Sequence, residues 1–164
     1  MRMQAIGAIL AAGTFFTYPA VAACPQELAV YESADGNTAL EFVGRGDAVM
    51  MAHEVRLIFR DGPVMTGYVE ATHGLRQPEM VTPHNCPEGD VTGEELDACL
   101  LYRSVVYGTD ETGQLIELPV AGEDAAHQIL LPNLTATLWM NPAFDGEGPN
   151  HRPAEILELS GCQE

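Results

Sequence analysis

Five histidines, His53, His73, His84, His127 and His151, are the side chains of this chain whose ordinary pKa lies nearest neutrality. A histidine beside a carboxylate can act as a general base or hold a metal. The closest such pairs are His53 with Glu54, and His127 three residues after Asp124. Met50, Met51 and His53 form a soft-donor cluster of the kind copper takes, and Met65 and Met80 could join it after folding. Methionines in such places also fill gaps in a core. Asp90, Glu94, Glu95 and Asp97 gather carboxylate oxygens in one short segment, the donor type calcium prefers, but without the residue order of an EF-hand loop. Asp145-Gly146-Glu147 is a second acidic turn.

The better-known catalytic signatures are missing. There is no Gly-x-Ser-x-Gly elbow, no phosphate-cradling glycine loop, no His-Glu-x-x-His and no Cys-x-x-Cys. No residue is therefore assigned to catalysis or to a cofactor. The sequence favours a non-catalytic binding or interaction module that takes a protein or small-molecule ligand. A calcium- or copper-binding protein and a hydrolase with a histidine–carboxylate centre are the alternatives.

The four cysteines, Cys24, Cys86, Cys99 and Cys162, imply disulfides if the chain is exported. The expected pairing is Cys86–Cys99, close in sequence, and Cys24–Cys162, just outside the first and last strand-like runs. Export is predicted by the first 23 residues: Arg2, an apolar run from Ala5 to about Thr17, and small residues up to Ala23. That run is broken by Gly7 and Gly13 and falls short of the ~20 apolar residues a membrane span needs. Val21-Ala22-Ala23-Cys24 resembles a loose bacterial lipobox, which would make Cys24 a lipidated first residue. Lipidation would leave Cys162 without a partner, so the unanchored periplasmic or secreted form is preferred.

Residues 24–164 then form one domain. They contain six arginines, no lysine, and twenty-four Asp plus Glu, a formal charge of −18. Such a surface repels nucleic-acid backbones and anionic headgroups, and suits a cationic partner. Contact with a membrane is expected only through a lipidated Cys24.

The elements that position these residues read as a mainly β fold. A small antiparallel sandwich or partly open barrel is expected, with one or two short helices, stabilised by disulfides. Strands are predicted at residues 28–31, 38–43, 48–59, 64–70, 100–107, 114–118, 134–140 and 154–160. Asp35-Gly36 and Asp61-Gly62 predict hairpin turns of type I′, and Gly67 a bulge or a close packing contact. Arg45-Gly46-Asp47 is read as turn chemistry. Thr92-Gly93-Glu94-Glu95 is a capping box that starts a helix of about two turns, ending near Cys99. A second helix is predicted at 123–131, and 141–153 is a loop rich in Pro and Gly. The irregular approach at 71–85, with His73 and His84, is where a binding surface is expected, beside the bridged loop.

Overall fold

The computed structural model describes residues 24–44, 51–70, 77–90 and 92–163. The expected leader at 1–23, the Arg45-Gly46-Asp47 turn, Met50 and His73 lie outside the described residues, as does the side chain of Met51.

The first six strands form a meander in which each pairs antiparallel with the next: β1 (Ala29–Glu32), β2 (Thr38–Val43), β3 (Met51–Phe59), β4 (Val64–Glu70), β5 (Glu79–Pro83) and β6 (Leu100–Val105). On the far side of β1 the order continues with β10 (Ile156–Cys162), β9 (Gln128–Leu130), β7 (Tyr107–Thr109) and β8 (Leu115–Ile116). Only Val106 separates β6 from β7 in the chain, yet eight strand spacings separate them in the sheet. Laid flat, that is about 38 Å, and one residue spans only ~3.5 Å. The sheet must therefore curl, and it forms an antiparallel half-barrel. The sequence left a sandwich and an open barrel as alternatives, and the barrel form is the one adopted.

Two short helices complete it, α1 (Gly93–Cys99) and α2 (Leu134–Leu138). α2 packs against β6, where Tyr102 at the sheet end donates its hydroxyl to the Pro132 carbonyl at 3.0 Å. Both expected bridges are present, Cys24–Cys162 and Cys86–Cys99. The first uses the sulfur that lipid attachment at Cys24 would need.

The core follows the period of two that a half-buried strand requires. Leu40 and Phe42 on β2 face Leu57 and Val55 on β3, and all four are buried. Tyr31, Phe42 and His53 stack their rings edge-on across three neighbouring strands, at centroid distances of 5.7 and 5.1 Å. Burial of Tyr31 is compensated at its tip, where the hydroxyl lies 3.1 Å from Gln26 Oε1 and 3.0 Å from the Ala126 carbonyl. The same burial pushes its ionisation far up. Gly67 is a close packing contact and not a bulge, since a Cβ there would lie 3.0 Å from Met80 Cε and from Thr82 Cγ2. The β3–β4 register runs through it without a shift.

Several local expectations are corrected. Residues 134–140 do not form a strand: 134–138 are helical, with Leu134 and Leu138 buried on one face and Ala136 exposed. Residues 123–131 do not form a helix, because distant partners take their backbone donors. Ala125 N–H goes to the Cys24 carbonyl, Ala126 N–H to Gln26 Oε1, and His127 N–H to the Thr109 carbonyl. Within 71–85, residues 79–83 are β5. Neither Asp-Gly pair makes a type I′ turn, which needs positive φ at both residues. Only Gly36 (65°) is positive in the first pair and only Asp61 (55°) in the second.

Candidate functional site

Two of the four carboxylates of the acidic segment, Glu95 and Asp97, have local partners. Thr92 Oγ1 accepts from the Glu95 backbone, and the Glu95 carboxylate accepts from the Thr92 backbone at 2.9 Å, so the capping box is complete. Asp97 is engaged by Arg103 at 3.3 Å, and Arg103 also meets Glu79 at 3.1 Å and Glu70 at 3.9 Å. This arginine pins α1 to the sheet ends at β4 and β5. Asp90 and Glu94 are exposed. Among the described residues no group of three or more His, Cys, Asp or Glu side chains is placed to hold a metal ion. Met65 and Met80 belong to the hydrophobic core.

The capping box carries a pH dependence. Hydrogen bonds from Thr92 hold the Glu95 carboxyl below its ordinary value of 4.5. A depressed carboxyl pKa contributes stability that is present above the ordinary value and is lost as pH falls through the folded one. α1 is therefore expected to fray as pH drops below 4.5. Thr92→Ala should give the same fraying at neutral pH, a loss of about 1 kcal/mol in the opening of that helix. Amide exchange of residues 95–99 in the two proteins checks this, and equal protection would count against it.

The four histidines among the described residues do not converge. His53 is buried and Glu54 projects to the other face of the strand, so their adjacency in sequence is not adjacency in space. His53 Nε2 lies 2.9 Å from the Pro119 carbonyl; a carbonyl can only accept, so this nitrogen carries the proton. A cleft of about 130 Å³ beside it is lined by Glu70, Glu117, Pro78 and Val120 among others. That volume is below the ~300 Å³ at which small-molecule sites begin. Asp124 and His127 share no helix face, because no helix forms there. His84 is half-buried, its ring 5.2 Å from that of Phe144, with Asn85 Nδ2 3.0 Å from its Nε2. His127 and His151 are exposed.

A larger concave surface lies elsewhere, along the chain that leaves α2. Trp139 ends the helix, and Met140 follows at φ 56°, with its side chain 80 % exposed. A positive φ is uncommon for a residue of this type, and it swings the chain out and back. Asn141 then fixes the return: its Oδ1 accepts from Ala143 N–H at 2.9 Å, and its Nδ2 donates to the Thr137 carbonyl at 2.8 Å. Phe144 is buried and anchors a single 3-10 turn, Pro142–Phe144. Gly148 passes directly over the Phe144 ring, where a Cβ would sit 3.0 Å from the ring carbon Cδ2.

Asn150 ties the loop to the β3–β4 hairpin by donating from Nδ2 to the Asp61 carbonyl. The hairpin approaches closely at Gly62, where a Cβ would meet the Pro149 Cα at 3.3 Å. Two adjoining hollows result. One, about 390 Å³, is walled by Trp139, Met140, Pro142 and Pro149. The other, about 410 Å³, is walled by Asp61, Pro63 and Glu147. They share Gly146, Gly148 and Asn150 as a common floor. Gly146 and Glu147 of the second acidic turn line this groove, but the groove itself was not expected from the sequence. The signal for it was the single tryptophan leading into a long Pro- and Gly-rich loop.

No protein-family model matches the chain, and neither a curated protein nor a solved structure matches it.

Proposed function

We propose that this protein is an exported binding module of the periplasm or cell envelope, and that the groove between residues 139–150 and the β3–β4 hairpin is its ligand-binding surface. The observation that carries this is the pairing of the two hollows, each of a size that holds a ligand group. The only tryptophan of the chain and a strongly exposed methionine stand at one end of it. Two disulfides suit an oxidising compartment. Among the described residues no helix is long and apolar enough to cross a membrane. Because Cys24 is bridged to Cys162, the unanchored form is preferred to a lipoprotein.

The two alternatives have less behind them. Asp97, a candidate calcium ligand, is occupied by Arg103. The cleft at His53 offers only about 130 Å³ for a hydrolase substrate.

Trp139 emission reports directly on the groove. A panel of short peptides, sugars and amphiphiles should give binders that shift this emission and the amide resonances of residues 139–150. Trp139→Ala should weaken those binders about tenfold or more, as expected for a central aromatic contact, with an unchanged melting temperature. Binders whose resonance shifts gather on another face would overturn the assignment of the groove.

A further inference from the structure

We infer that the groove takes a short peptide segment in which a basic side chain lies next to an apolar one; this rests on the groove being the binding surface. The two hollows differ in chemistry while sharing a floor. The first has a wall of Trp139, Met140 and prolines, and the second is bordered by the carboxylate residues Asp61 and Glu147. None of the lining residues is cationic. Arg60, next in the chain to Asp61, is directed elsewhere: a Cβ on Gly36 would lie 2.8 Å from its Nη2. A basic group in the second hollow therefore meets carboxylates that no ion pair engages among the described residues.

The floor favours a main chain as the connecting scaffold. Gly146 carries no side chain, and a Cβ there would meet nothing within 4 Å, so a ligand backbone can come close to it. A ligand with two neighbouring side chains, one apolar and one basic, fills both hollows at once. Net charge acts in the same direction at longer range. The chain carries a formal −17, which raises the local concentration of a basic peptide before contact. A purely apolar ligand leaves the acidic hollow unused, and a free metal cation leaves the tryptophan wall unused.

The test follows Trp139 emission in the intact oxidised protein. The probes are Ac-Leu-Arg-Leu-Arg-NH2, the same peptide with citrulline in place of arginine, its glutamate counterpart, and Ac-Arg-Arg-Arg-Arg-NH2. The leucine–arginine peptide should bind saturably, about tenfold tighter than the uncharged citrulline peptide, and the glutamate peptide should not bind. Glu147→Gln should weaken the arginine peptide by about threefold, the range of an exposed ion pair, and leave the citrulline peptide unchanged. Equal binding of the citrulline and arginine peptides would overturn the basic-residue assignment while leaving the groove as a binding surface. Tetra-arginine binding as tightly as the mixed peptide, with no effect of Glu147→Gln, would reduce the effect to diffuse charge attraction and overturn the proposal. Absence of any saturable change with all four peptides also overturns it, and the broader groove reading is then judged by its own screen.

Discussion

Replacing Cys24 and Cys162 together by serine is expected to destabilise the protein by about 4–5 kcal/mol. The bridge closes a loop with a sequence separation of 138, and the entropy it removes from the unfolded chain grows with the logarithm of that length. The Cys86–Cys99 bridge closes a separation of only 13, so its removal should cost about 3 kcal/mol by the same reasoning. The contacts near the long bridge do not pass through its sulfurs: β1 pairs with β10, and Gln163 N–H donates to the Leu28 carbonyl at 2.8 Å. The expected loss is therefore assigned to the unfolded state. Urea unfolding of the oxidised protein and of the two double-serine variants measures both values. A smaller loss for the 24/162 pair than for the 86/99 pair would show that the unfolded chain already keeps its ends together.

Phe42→Ala should cost about 3–5 kcal/mol, within the range for truncating a buried aromatic side chain. Phe42 is fully buried and stands between Tyr31 and His53, touching both rings edge-on. Its loss removes two ring contacts and opens a hole between strands whose backbones are held by the sheet ladder, so collapse is limited. Phe42→Leu fills most of that volume and should cost less than half as much. Equilibrium unfolding of both variants gives the comparison. A Phe42→Ala loss below about 2 kcal/mol would mean that the barrel interior closes over the gap.

The strands that could be read from sequence were those whose pattern had one interpretation. In Thr38-Ala39-Leu40-Glu41-Phe42-Val43 the alternation of Leu40, Glu41 and Phe42 fits a half-buried strand and no helix, and the burial follows it. The capping box at Thr92 was equally explicit, because it is a local device whose partners lie within three residues. Leu134 to Leu138 was ambiguous in principle. Positions 134 and 138 fall on one face under a period of two and also under a helical period. Only Ala136 separates the cases, and a small residue there gives no signal; its exposure is what decides for the helix.

Residues 123–131 failed for a different reason. Their backbone donors are claimed by Cys24, Gln26 and Thr109, none of them close in sequence. The groove was illegible on the same grounds. Trp139 and Glu147 were visible as residues, but Asp61 joins them only because Asn150 and Gly62 bring a distant hairpin to the loop.

The passage from β6 to β7 through Val106 also sets the order in which pairings can arise. From β1 to β6 every strand meets its predecessor, so each pairing is available as soon as the next strand exists. Beyond Val106 the rule holds only within two pairs, β7 with β8 and β9 with β10. β7 also pairs with β9, and β10 with β1, which joins Ala29 to Cys162. The β1–β10 contact waits on a long search, and sheets rich in such contacts fold on the slow side of the range for their size. Until β10 arrives, β1 offers an unpaired edge of the kind that recruits other chains. An oxidised Cys24–Cys162 bond made before that moment would shorten the search from one of chain length to one of a few residues, so the bridge acts on the rate of closure as well as on the finished barrel.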